Sequence, residues 1–425
     1  MSAPNAGTQG GPIASMARTL AHGVERLRGP SLLGGDARLE LRAERHGGHP
    51  ADLAHGPHLD AAVDWLVRAQ NAAGGEGIAR GYSLTWNQYF RLRGWEPAYP
   101  ETTGYIIPTL FLAAHELGQP ELADRAERAA RWEIAVQLPC GAVQGGVIGE
   151  GRRPAVFNTG QVLLGWLCAA QETGCGSYLI AARRAAEYLF AARSADGLWH
   201  KDSPFALASA TLYNARTAWA LAEAGRRLGI PAFIDAAAGA LHAVARRQHS
   251  NGWLPDCCLT DPERPLLHTI AYAIRGLLEG GRVLEDEGLI ARAELAADEI
   301  AAGIAPDGRL AGRFLSDWSP AVTWSCLTGA AQIANVWMRL SEISGDRRWI
   351  EPAGAAIHFL KSTQNRVSAD PGLRGGIRGS FPMDGPYGQY EVLSWATKFF
   401  ADALMRHRRL TTQAPVASTP AAHLA

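Results

Sequence analysis

The chain has 425 residues, 47% hydrophobic and 19% charged, with 41 basic and 41 acidic side chains in balance. That length suits one large domain or two to three ordinary ones, and the charge balance leaves no electrostatic footprint for nucleic acid or an acidic membrane surface. No apolar run reaches the roughly 18–20 residues that span a bilayer, and six cysteines in so long a chain do not make a disulfide scaffold, so reduced thiols are expected.

Residues 1–55 are rich in Gly, Ala, Arg and His and lack sustained periodicity, so they read as a poorly ordered extension. Within them IASMARTLAHGVERLR, residues 13–28, can form a short amphipathic helix. The start lacks a basic segment followed by an apolar core, so no secretory signal is read and a cytoplasmic location is expected. The stretch 56–409 is helical in flavour throughout, with Ala, Leu, Arg and Glu at three- and four-residue apolar spacing. Residues 410–425 read as a disordered tail.

The first predicted helix is HLDAAVDWLVRAQ, residues 58–70. A connection follows over 74–101, far longer than the usual length of about 4–6 residues. It carries Tyr82, Trp86, Tyr89, Phe90, Trp95 and Tyr99, which suits a lid or binding loop with aromatic faces for sugar rings. Next comes PETTGYIIPTLFLAAHELG, an apolar helix with a polar mouth and Pro108 near its first turn.

From there the chain repeats. Helix exits begin at Gln70, Gln137, Arg193, Gln248 and Ile304, each with Gly four residues later, and the QNRVSADPG at Gln364 is the same exit with an insertion. Helix starts align at Tyr105, Gln161, Arg216, Tyr272 and Gln332, each preceded by a small residue (Gly104, Gly160, Ala215, Ala271, Ala331). Every aligned start lies 32 residues before its exit. That offset fits two helices and a turn, marked by Gly118, Gly174, Gly229 and Gly345. Five hairpins are complete. The leftover outer helix at 58–70 and the leftover inner helix predicted over 389–407 make a sixth. The expected fold is therefore all-α: an (α/α)6 toroid of six helical hairpins, its ring closed by pairing the N-terminal outer helix with the C-terminal inner helix.

In such a ring the inner-helix mouths converge. Tyr105, Gln161, Arg216, Tyr272 and Gln332 would face one another as a polar ring, with Glu101, Tyr213 and His268 beside them and Trp219 and Arg275 a turn deeper. Buried polar groups need partners, and a polar ligand in a central cavity would supply them. The sixth mouth offers Tyr387, Gln389, Tyr390 and Glu391. Segments 311–326 and 375–391 are loop-like and reach the same rim. Thr103, Thr159 and Asn214 read as ordinary N-caps. Cys257, Cys258, His268 and Cys326 lack metal-ligand spacing, so no metal is expected. There is no P-loop, dinucleotide fingerprint, GxSxG elbow or aspartate cluster for diphosphate, and no cofactor is expected.

The exits, best in QHSNGWL and RSADGLW, resemble the Q-x-x-x-G-x-W repeat of terpenoid-cyclase-type α/α toroids over residues 58–407. GWEPAYPETTGYIIPTL resembles α/α-toroid proteins encoded with bacterial polysaccharide-biosynthesis genes and, distantly, the YP-x-T helix start in the α/α domain of glucuronyl C5-epimerases. The β-sheet domains of those epimerases have no counterpart here. The resemblance implies a carbohydrate-active enzyme on an acidic, uronate-containing poly- or oligosaccharide, working by epimerisation, β-elimination or hydrolysis. Glu101, Tyr105, His268, Tyr272 and Glu391 are the candidate acid–base groups. Trp86, Tyr89, Trp95, Gln161, Tyr213, Arg216, Trp219, Arg275, Gln332, Tyr387 and Tyr390 are the candidate substrate contacts, with Arg216 or Arg275 holding a carboxylate. The alternatives are a terpenoid-cyclase or prenyltransferase-like toroid and a non-catalytic glycan-binding toroid.

Overall fold

The computed structural model describes residues 34–149, 151–209, 211–412 and 424. The helix expected at 13–28 and most of the tail expected from 410 lie outside them. Among the described residues there are thirteen α-helices: α1 Gly35–Arg45, α2 Gly56–Ala72, α3 Pro100–Leu117, α4 Glu121–Val136, α5 Val156–Thr173, α6 Gly176–Ala191, α7 Ala215–Leu228, α8 Pro231–Arg247, α9 Leu267–Leu284, α10 Glu287–Ala302, α11 Leu327–Ser344, α12 Ile350–Thr363 and α13 Ser394–Thr412. The odd-numbered helices from α3 to α13 pack in sequence around an axis, and α13 returns to both α3 and α2. The ring is a closed (α/α)6 toroid. The outer helices α2, α4, α6, α8, α10 and α12 each complete one hairpin.

The repeat signals have physical causes. The hairpin turns at Gly118, Gly174, Gly229 and Gly345 adopt φ between 65° and 74°, the left-handed cap that a Cβ disfavours. The exit glutamines are rivets between hairpins. Gln137 Nε2 donates to Gly141 O in its own turn (2.8 Å) and to Ala181 O on the next outer helix (3.0 Å). Gln248 repeats this with Gly252 O and Arg292 O. Gln364 donates to Gly375 O (2.7 Å) and to His58 O on α2 (3.1 Å), which rivets the last hairpin to the first. The following glycines pack on backbone: a Cβ on Gly141 or Gly375 would strike the carbonyl of Arg184 or Ala61. The small residues before the inner mouths let neighbouring inner helices touch. A Cβ on Gly104 would sit 2.7 Å from Val162 Cα.

Three features differ from the sequence reading. The connection over 74–101 contains an antiparallel hairpin, β1 Gly81–Asn87 and β2 Leu92–Trp95, and β5 Glu391–Leu393 adds to the other edge of β1. A second short pair joins β3 Ser325–Cys326 to β4 Ser380–Phe381. Because residues 391–393 pair as a strand, α13 begins at Ser394 rather than at 389. Order also begins before residue 56. Helix α1 buries Glu40 and Glu44 against Arg378, with Glu44 Oε1 2.9 Å from Arg378 Nε and Glu40 ion-paired to Nη1. Glu44 Oε2 accepts from Met383 N (2.9 Å), so α1 buttresses the loop that leads to β5.

Candidate active site

The polar ring exists, but it is a floor rather than a ligand cradle. Tyr105, Gln161, Arg216, Tyr272 and Gln332 are all buried at 5% exposure or less. Arg216 Nε donates to Gln161 Oε1 (2.7 Å), and its guanidinium lies 5.6 Å from the ring centres of Tyr105 and Tyr272 and 5.8 Å from that of Phe399. Gln332 Oε1 is 2.9 Å from His268 Nδ1. The ring members therefore supply most of each other's partners, against the expectation that a ligand must.

Phe399 is the sixth ring member, and Thr397 fixes that register. Thr103 accepts from Ile78 N and donates to Tyr99 O. Thr159 does the same with Val143 N and Ala155 O, and Thr397 with Ile377 N and Leu393 O. Thr103 and Thr159 are not the N-caps expected: like Thr397, they lie in the first helical turn and tie it to the preceding loop. Asn214 sits at the cap position of α7, yet its side chain makes no capping bond. Trp219 and Arg275 lie below the floor, where Arg275 Nε is 2.9 Å from Glu279 Oε1.

Above the floor opens a cavity of about 1080 Å³. Glu101, His268, Tyr272 and Glu391 line it, as do Tyr89, Tyr213 and Tyr387. Tyr105, Gln161, Arg216, Trp219, Arg275 and Gln332 do not reach it, because the ring seals the axis. Nor do Trp86, Trp95 and Tyr390. Trp86 is 53% exposed, Trp95 packs on Trp65 and Tyr82, and Tyr390 is buried where its N–H bonds Met383 O. The cavity wall also uses Tyr99, one of the aromatics of the 74–101 connection, and Arg80, Asn87, Asn158 and Trp395, which sequence reasoning did not name as site residues. Tyr99 and Asn158 flank positions that the repeat alignment did mark. Arg80 and Asn87 depended on β1, whose period-two pattern was not read as a strand.

The chemistry concentrates in one hydrogen-bonded chain. Tyr99 Oη donates to Glu101 Oε2 (2.7 Å), Tyr105 Oη lies 3.0 Å from Glu101 Oε1, and Tyr105 Oη lies 2.5 Å from Tyr272 Oη. Burial pushes the Glu101 carboxyl up, against the hydroxyls of Tyr99 and Tyr105 and the charges of Arg80 and Arg216. Burial likewise pushes the phenols of Tyr99, Tyr105 and Tyr272 well above their ordinary range. His268, its ring centre 4.5 Å from that of Tyr272, is pushed down to about 4, chiefly by burial. It is therefore neutral near pH 7, and with Nδ1–H donated to Gln332 its Nε2 is the basic nitrogen.

Glu391, also on the cavity wall, is tied down. Its Oε1 accepts from Asn87 Nδ2 (2.7 Å) and its Oε2 pairs with Arg80 (3.1 Å), which also pairs with Glu96 (2.6 Å). Burial opposes the charge on Arg80, yet Glu96 and Glu391 hold its guanidinium above the ordinary value. Cys257 and Cys326 are committed to Thr269 O and Gly329 N, and no group of three His, Cys, Asp or Glu that could hold a metal occurs among the described residues. No described helix is long and apolar enough to cross a membrane.

No protein-family profile matches the chain, and no curated protein matches it. Solved structures do. The unsaturated glucuronyl hydrolase of Bacillus sp. GL1, responsible for glycosaminoglycan degradation, matches with a TM-score of 0.63 and 16% identity, covering 84% of this chain and 97% of its own. An unsaturated glucuronyl hydrolase specific for heparin matches at 0.63 and 17%, with the same coverage. A D-mannose isomerase matches at 0.64 and 11%, covering 85% of this chain and 100% of its own. At such identities the likeness establishes the toroid fold alone.

Proposed function

We propose that the protein is a carbohydrate-active enzyme that moves a proton at a carbon beside the carboxylate of an acidic saccharide, by epimerisation or β-elimination. The chain Glu101–Tyr105–Tyr272, desolvated and ending at the cavity beside neutral His268, carries this reading. Tyr272 and His268 are the acid–base pair facing the substrate. Glu101, which itself lines the cavity, sets the protonation of Tyr272 through Tyr105. The cavity is large enough for several sugar units, and the aromatic rings of Tyr89, Tyr213 and Tyr387 on its wall suit sugar faces. The glucuronyl-glycan names among the structures of similar fold, which are hydrolases, accord with the acidic saccharide and not with either reaction.

Hydrolysis is the second reading, favoured by the raised Glu101 carboxyl, which suits a general acid. It is weaker because both oxygens of Glu391, the other expected carboxylate, are engaged by Asn87 and Arg80. A terpenoid cyclase would want an apolar cavity, and this wall mixes arginines, carboxylates and amides. Incubation with a panel of uronate-containing oligosaccharides separates the readings. Epimer or unsaturated product from wild type, lost in Tyr272→Phe, supports proton transfer. New reducing ends without either would overturn it.

A further inference from the structure

A uronate needs a cation to hold its carboxylate, and the arginines at the mouth are not equivalent. Arg216 is sealed under Tyr105 and Tyr272 and bonded to Gln161. Arg275 lies deeper still, against Glu279. Arg80 lines the cavity but is shared between two carboxylates, Glu96 and Glu391, so that trio carries net negative charge.

The remaining wall is different. Arg264 and Arg313 both line the cavity and share one carboxylate, Asp261. Arg264 takes it closely, through Nη2 at 3.1 Å and Nε at 3.2 Å. Arg313 Nη1 stays 3.8 Å from it and donates to the backbone carbonyl of Arg264 instead. Two guanidiniums on one carboxylate leave a net positive charge, and Arg313 holds the looser end of the arrangement.

Arg313 is also well placed and well held. It bridges backbone to backbone with Leu266, two residues before His268, and Gly312 O accepts from Leu267 N (3.0 Å). Gly312 N donates to Trp324 O (2.8 Å), and Trp324, on the cavity wall, packs so closely that a Cβ on Gly312 would strike its ring. A part-buried guanidinium, an aromatic face and the acid–base histidine thus share one wall. Burial draws the Arg313 guanidinium down from its ordinary value, with Asp261 opposing and the charge of Arg264 adding to it.

We propose that Arg313 is the residue that receives the substrate carboxylate, with Trp324 beside it as the stacking face, so that Arg313 selects acidic over neutral saccharides. This rests on the acidic-substrate reading above. The carboxylate replaces water around Arg313 and forms charge-assisted hydrogen bonds, each worth about tenfold to a hundredfold in affinity once desolvated.

The test is calorimetric titration of wild type, Arg313→Gln and Arg313→Lys with a uronate-containing tetrasaccharide and with its carboxyl-reduced, neutral counterpart. Wild type is expected to prefer the acidic ligand by at least about tenfold. Arg313→Gln should lose that preference while binding the neutral ligand as wild type does, and Arg313→Lys should keep part of it. If Arg313→Gln keeps the full preference, the assignment to Arg313 is overturned while the acidic-substrate reading stands. If wild type binds both ligands equally or neither, the acidic-substrate reading itself fails and takes this assignment with it.

Discussion

The inner helices carry two clusters of buried titratable groups, one at the mouth and one deeper along the axis, and they are built on opposite principles. In the deep cluster charge meets charge. Glu279 lies between Arg275, Arg282 and Arg339 at 2.9, 2.9 and 2.7 Å. Glu342 joins Arg339 to Arg406, and Lys398 pairs with Asp402 at 2.6 Å. Burial works against the charge on Glu279, yet Arg339 and Arg275 hold its carboxyl well below the usual range. At the mouth, Glu101 has phenols rather than cations as its nearest partners, and its carboxyl is pushed up. The deep cluster is held by its own ion pairs and does not line the mouth cavity. The mouth cluster leaves a phenol and an imidazole facing open space. Only the second arrangement can exchange protons with a ligand.

The comparison breaks most sharply under mutation. Glu101→Gln and Tyr272→Phe should each lower turnover by roughly 10²–10⁴-fold, the usual range for losing a general acid or base, with thermal melting close to wild type. Steady-state kinetics beside a melting curve checks both halves. Glu279→Ala should do the reverse. It leaves buried arginines uncompensated and should cost about 3–5 kcal/mol in urea unfolding, and at a temperature where the variant stays folded, turnover per folded molecule should hold.

A smaller effect is expected from the buttress. Glu44→Ala removes one partner of Arg378 and the acceptor for Met383 N. Backbone amides in the 383–391 loop should exchange with solvent about tenfold faster, with those of α5 and α9 unchanged. Hydrogen exchange with mass spectrometry reads this directly.

The smallest effect is in pH dependence, and the two clusters should differ in sign. Glu279 has its folded value depressed, so its stabilisation is complete above its unfolded value near 4.5 and is lost as pH falls. Glu101 has its folded value raised, so its ionisation opposes folding, and acidification through that folded value relieves the cost. In neutral buffer Glu101→Gln should therefore be slightly more stable than wild type, and Glu279→Gln less stable. Denaturant titrations at two pH values show whether the signs part.

Much of the fold was legible because each signal has a local cause. Gln137, Gln248 and Gln364 repeat because each rivets two hairpins, and Gly104 and Gly160 are small because neighbouring inner helices touch there. The site was legible only where it sits on the repeat. Glu101, His268 and Tyr272 fell out of the alignment. Arg216, Gln161 and Gln332 did too, but alignment shows which residues converge and not which of them seal the axis. Arg80, Asn87 and Arg313 escaped because they lie on connections outside the repeat, set by short strand pairings of low sequence signal. Phe399 was displaced by several residues because strand β5 takes the place where a sixth helix start was expected.

The central claim is that the mouth cluster transfers a proton to and from a sugar carbon. The direct measurement is NMR of a turned-over uronate oligosaccharide in heavy water. Deuterium at the carbon beside the carboxylate in epimer or returned substrate, or its hydrogen lost in an unsaturated product, is the predicted result with wild type, and Tyr272→Phe should abolish it. Turnover in which that carbon keeps its original hydrogen throughout would contradict the account.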